Sequence, residues 1–157
     1  MSSIPFKQRY FEDYRAGEVA EFGDYLVTEQ EIIDFARRYD PQPFHVDPEA
    51  ARHSIYGGLI ASGWLSGSIL MRMLVDNYVS PLSSMGSPGI DELRWLKPVR
   101  PGDRLRMRIC IIETRRSQSK PDRGVVRARQ ELLNQDGDTV MTIVTLGMYQ
   151  CRHPEAP

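Results

Sequence analysis

The sequence predicts an α+β domain, an antiparallel sheet wrapped around one long central helix. Three observations predict it. The run from Ile60 to about Val79 is apolar on most sides, and its small residues recur four apart as Ser62/Ser66 and Gly63/Gly67. Leu105, Met107, Ile109 and Ile111 alternate with Arg104, Arg106 and Arg108, the pattern of a half-buried antiparallel strand. Turn signals then separate strand-length runs through the C-terminal half, the strongest being Asn134-Gln135-Asp136-Gly137-Asp138.

In chain order, residues 1–17 are polar and aromatic and are expected to form an arm laid over a single domain spanning 1–157. Glu18–Val27 reads as a first strand. Thr28 and Glu31 match a capping box, in which hydroxyl and carboxylate satisfy backbone donors reciprocally. Ile32, Phe35, Ala36 and Tyr39 follow at helical spacing and are expected to share one buried face. Pro41 stops that helix, leaving Asp40 just past its end. Asp47-Pro48-Glu49 is a second helix start, with Asp47 as N-cap and Pro48 at the first helical position. Ser54–Gly58 is a flexible connection into the long helix, expected from Ile60 to about Val79. Glycine costs a helix roughly 1 kcal/mol against alanine, so Gly63 and Gly67 point to close backbone approach. After a Ser/Gly/Pro-rich loop at 81–88 come strands at 89–97, from Arg104, at 125–133 and at 139–150.

At 157 residues the chain is long enough to bury a core, and 41% hydrophobic with 26% charged residues is ordinary globular composition. A formal charge of −1 gives no global field towards nucleic acid or membrane. Met1-Ser2-Ser3-Ile4-Pro5-Phe6-Lys7 has no apolar signal-peptide core, and Arg72 and Asp76 interrupt the most apolar helix. Cys110 and Cys151 have no metal-type spacing and read as reduced thiols. The expectation is a soluble cytoplasmic protein.

The chemistry concentrates in Tyr39-Asp40-Pro41-Gln42-Pro43-Phe44-His45. Each proline fixes its own φ and pushes the preceding residue towards extended geometry, so Asp40 and His45 are presented in a reproducible relation. A carboxylate and an imidazole so held can position one water for general acid–base work. A bare D-x-x-x-x-H favours a plainer account, with Asp40 in a turn and His45 a packed core histidine. The paired prolines and the Gly-rich start of the next helix tip the reading towards catalysis. Free N–H groups at that helix start, Gly57-Gly58-Leu59-Ile60-Ala61-Ser62-Gly63, suit an oxyanion or a thioester carbonyl, though close packing needs small residues equally. His45 and Asp47 lack the further ligands a metal site needs, and no metal is expected. The arginines from Arg104 to Arg129 read as the solvated face of a sheet, with a minority reading in which a few hold coenzyme phosphates. No aromatics interleave with them, so no nucleic-acid partner is expected.

Three blocks together resemble the MaoC-like dehydratase and R-specific enoyl-CoA hydratase family, which has the hot-dog fold. The family's Gly-Asp-x-Asn-Pro-x-His is matched by Tyr39–His45, and its Gly-Gly-x-Ile-Ala-His-Gly by Gly57–Gly63. Its x-x-Pro-Val-x-x-Gly-Asp, after a strand ending in an aromatic, is matched by Trp95-Leu96-Lys97-Pro98-Val99-Arg100-Pro101-Gly102-Asp103. The resemblance implies that Asp40 and His45 activate water at an enoyl thioester and that the Gly63 N–H stabilises the enolate oxygen. It also implies a homodimer or higher homo-oligomer whose sheets join side by side, with the acyl chain in a tunnel by the long helix. No redox cofactor or metal is implied; coenzyme A or a phosphopantetheine arm carries the substrate.

Three residues depart from the family pattern. Gln42 stands for Asn, with a longer amide to orient the pair. Tyr39 stands for Gly and is expected to crowd the site. Ser62 stands for His, removing a polar ring near the thioester. Trp64, beside the oxyanion position, is expected to reshape the acyl pocket. The leading expectation is a hydro-lyase acting on the 2,3-double bond of an enoyl-CoA-type substrate. A hot-dog thioesterase and a non-catalytic acyl-thioester binder stand as alternatives, separable by thiol release and by binding without turnover.

Overall fold

Five strands form one antiparallel sheet in the order β1-β3-β4-β5-β2, with β1 at Val19–Leu26, β2 at Gly89–Trp95, β3 at Arg104–Arg116, β4 at Arg123–Leu133 and β5 at Thr139–Gln150. Four helices, α1 (Glu29–Tyr39), α2 (Pro43–Val46), α3 (Pro48–Arg52) and α4 (Gly63–Asn77), lie between β1 and β2. This computed structural model describes residues 2–154; residues 1 and 155–157, the outer ends of the expected arm and domain, lie outside the described residues.

The alternation in β3 puts Leu105, Met107, Ile109 and Ile111 on the inner face, where they are buried beside Val126, Ala128 and Leu132 of β4. The helix α4 closes this face with Leu65, Ile69, Leu70, Met73 and Leu74, completing the hot-dog arrangement of a sheet around a helix. A bulge in β1 brings sheet and helix together: Gly23 has φ +89, and a Cβ there would stand 2.6 Å from Met73 Sδ. The predicted hairpin at Asn134 forms, with its Oδ1 accepting from the N–H groups of Asp136 and Asp138.

The outer face carries the arginines, and most are paired. Arg104 grips Asp24, Arg108 meets Glu131, Arg127 meets Asp91 and Arg123 meets Asp122. This favours the solvated-face reading over phosphate binding, since each neighbouring acid already neutralises its cation.

Several expectations are corrected. The long helix starts at Gly63 rather than Ile60, because Ile60 and Ala61 are extended, their N–H groups donating to the carbonyls of Phe44 and Val99. Nor is it buried on every side: the apolar residues Trp64, Met71 and Val75 are exposed. Half of the capping box forms. Thr28 accepts from the Glu31 N–H, but the Glu31 carboxylate accepts from the Tyr25 hydroxyl instead. Tyr39 is 63% exposed and packs on Phe35, so it neither joins the buried face nor crowds the site.

The arm is held by buried polar chemistry. The Arg9 guanidinium, almost wholly buried, makes a forked pair with Glu18 and sits over the Phe6 ring. Phe11 presses on Gly124 of β4, and Tyr14 packs against Tyr78 and Tyr149. Among the described residues no helix is long and apolar enough to cross a membrane.

Candidate active site

The pair sits where three short pieces of chain meet. Asp40 is the C-cap of α1 and His45 lies in the single turn α2, which Pro43 opens at its first position. The two prolines therefore act differently: Pro41 follows an Asp40 with φ −152 and ψ 65, while Pro43 starts a helical turn that points His45 inward. Asp47, read as a cap, accepts from the N–H groups of Glu49 and Ala50 and is thereby committed to α3.

His45 Nε2 stands 3.3 Å from Asp40 Oδ2. Its Nδ1 lies 2.8 Å from the Ile60 carbonyl oxygen. A carbonyl only accepts, so Nδ1 carries a hydrogen and Nε2 is the ring nitrogen that faces the carboxylate. The ring is 5% exposed, and its plane is fixed further by an edge contact with Phe44 at 4.6 Å.

Asp40 is fixed by two donors, one on each oxygen. Gln42 Nε2 donates to Oδ1 at 2.7 Å, and Ser62 Oγ donates to Oδ2 at 2.8 Å. Partial burial works to raise the Asp40 pKa, but these two hydrogen bonds and then the His45 charge outweigh it. They hold the carboxyl below its usual range. Ser62 is wholly buried and also accepts from the Trp64 N–H, so one hydroxyl ties Asp40 to the first turn of α4. Where the family pattern has a ring, Ser62 supplies a hydroxyl contact to the carboxylate itself. Gln42 does orient the pair, through a direct amide contact.

Asp40, Gln42 and His45 line a cavity of about 580 Å³ together with Gly63, Trp64 and Trp95, whereas the wholly buried Ser62 is not part of its lining. The Gly63 N–H has no hydrogen-bond partner among the described residues and lies at the positive end of α4. Packing also requires glycine here, since a Cβ would fall 2.3 Å from Trp95 Cε2, and the Trp95 indole N–H donates to the Gly63 carbonyl at 3.0 Å. Trp64 is 59% exposed and meets Trp95 edge-on at 5.2 Å. It stands on the rim, shared with a second cavity along α4.

Sequence reasoning gave no role to Trp95, Tyr56 or Lys97, all of which line the cavity. Trp95 and Lys97 fall in the third sequence block, which was the available signal. The Ile60 carbonyl had none, because a backbone acceptor is assigned only by tertiary placement.

The family model described as a MaoC like domain matches residues 13–134. The chain is 37% identical to a MaoC-like dehydratase from Rhodospirillum rubrum, whose crystal structure superposes with a TM-score of 0.86 over 92% of this chain and 99% of that one. It is 31% identical to protein MaoC of Klebsiella aerogenes over 75% of this chain and 35% of that protein. It is 30% identical to a mesaconyl-CoA hydratase of Cereibacter sphaeroides over 95% of this chain and 43% of that protein. The chain thus spans less than half the length of these two curated relatives.

Proposed function

The chain belongs to the MaoC-like dehydratase family, and from that premise we propose that it is a hydro-lyase of enoyl thioesters, working as one domain over 1–157 within a homo-oligomer. Its substrate is an acyl group on coenzyme A or a phosphopantetheine arm. The observation that carries the reading is the Asp40–His45 pair, with Nδ1 committed to Ile60 and both Asp40 oxygens held by donors.

In the hydration direction a water is held on the cavity side of the pair, within reach of both Asp40 and Nε2 of His45. Its oxygen bonds to C3 of the enoyl thioester as one of its protons passes to the pair. The π electrons move towards the thioester oxygen, which the Gly63 N–H stabilises as an enolate. A proton delivered to C2 collapses the enolate, so the net change is addition of one water. Dehydration is the same path reversed. Because the carboxyl is held below its usual range, Asp40 is ionised at neutral pH and holds the water as a hydrogen-bond acceptor.

The test is a panel of trans-2-enoyl-CoAs, followed by loss of the enoyl absorbance alongside thiol release. Hydration without thiol release, lowered about 10²–10⁴-fold in Asp40→Asn and in His45→Ala, supports the lyase. Near-full activity in both variants refutes the mechanism, and thiol release moves the protein to the thioesterases.

A further inference from the structure

The second cavity, about 550 Å³, runs between α4 and the inner faces of β2, β4 and β5. Leu70, Met71, Leu93 and Ile143 give it an apolar lining, and among the described residues no charged side chain lines it. It adjoins the catalytic cavity at Trp64, which lines both. Ser68, Ser84, Ser87 and Thr145 also line it, and its floor carries a buried amide. Gln130 sits on the inner face of β4 between Ala128 and Leu132, in a row where every other inward residue is apolar. It is 1% exposed, its Nε2 donates to Thr145 Oγ1 at 2.8 Å, and its Oε1 has no hydrogen-bond partner. Tyr78 lines the same groove, its buried hydroxyl interacting with that of Tyr149.

A buried polar atom without a partner is unfavourable, and a leucine at 130 would match its neighbours. The amide makes sense if a ligand completes it. Whichever way the amide is turned, Thr145 uses one end and the other remains open. A hydroxyl suits both orientations, since it can donate to oxygen or accept from nitrogen. A carboxylate does not suit the groove, which offers it no cation.

We propose that this groove takes the acyl chain of the substrate and that the chain carries a hydroxyl group remote from the thioester, held by Gln130. This rests on the acyl-thioester reading above and names the substrate class within it. Gln130 is then the residue that determines specificity, and Trp64 is the wall past which the chain reaches the groove.

The experiment measures calorimetric binding of saturated acyl-CoAs of equal length, one plain and the others with a hydroxyl walked along the chain. Turnover of the matching trans-2-enoyl-CoAs is followed in parallel. At one position the hydroxyl is expected to tighten binding and raise kcat/KM roughly 10-fold over the plain chain, as one buried hydrogen bond allows. In Gln130→Leu and Gln130→Met that ratio is expected to fall to about 1. The proposal is overturned if no position binds better than the plain chain, if no chain binds, or if the preference survives both variants. Hydroxyl-dependent binding with no hydration of any enoyl-CoA removes the lyase reading and leaves the groove assignment standing.

Discussion

Ser62→Ala separates the proposed positioning of Asp40 by this residue from its capping role. The hydroxyl donates to Asp40 Oδ2 at 2.8 Å and accepts from the Trp64 N–H at 3.3 Å. A hydrogen bond to a charged group contributes about 1.5–3 kcal/mol. The Asp40 side chain is 20% exposed, so solvent replaces part of the lost bond and the lower end applies. That is roughly a 10-fold fall in kcat/KM. Loss of the cap lowers stability by about 1 kcal/mol, read by urea unfolding. Removing a donor to the charged form also raises the Asp40 pKa, so the acid limb of the kcat/KM profile moves to higher pH. A purely structural serine would leave that limb in place. In an Asp40→Asn background the same substitution should cost less than about 2-fold, because its partner's charge is already gone. A full 10-fold loss in that background, with an unmoved acid limb in Ser62→Ala alone, would refute the argument that Ser62 acts through Asp40.

Gly63→Ala puts a methyl 2.3 Å from the Trp95 ring, so the indole must shift; overpacking of this kind costs about 1–3 kcal/mol, measured by thermal or urea unfolding. Arg9→Met leaves Glu18 buried and unpaired and should cost about 3–5 kcal/mol, whereas Arg9→Met with Glu18→Leu should recover most of it. The Asp40 pKa is lowered in the folded protein, so its carboxylate adds stability above the ordinary carboxylate range and loses it as pH falls through the lowered value. Gln42→Ala removes one cause of that lowering. It should therefore destabilise by up to about 1 kcal/mol at pH 7 and by much less near pH 2, compared by urea unfolding at the two values.

Much of the fold was legible because it depends on local patterns. The period of β3, the Asn134 turn, the Thr28 and Asp47 caps and the stop at Pro41 each follow from side-chain chemistry within a few residues. Errors arose where a distant group competes for a local one. Glu31 leaves its capping partner for Tyr25 across the β1–α1 join, and Ile60 and Ala61 leave the helix because Phe44 and Val99 offer carbonyls. Tyr39 keeps the helical spacing of a buried residue but lies on the side of α1 that no other element covers.

The sequence by itself marked Asp40 and His45 as neighbours, the glycine near them and the long helix with its sheet, since each is a matter of residue type at short range. Only the tertiary structure decided how the pair is wired. The Ile60 carbonyl fixes a hydrogen on His45 Nδ1, Ser62 donates to Asp40 from 22 residues away, and Gln130 keeps a buried, unpartnered amide oxygen beside a largely apolar groove. A hydrogen bond is directional and short, so its partner is settled by where distant segments pack, and spacing along the chain does not record that.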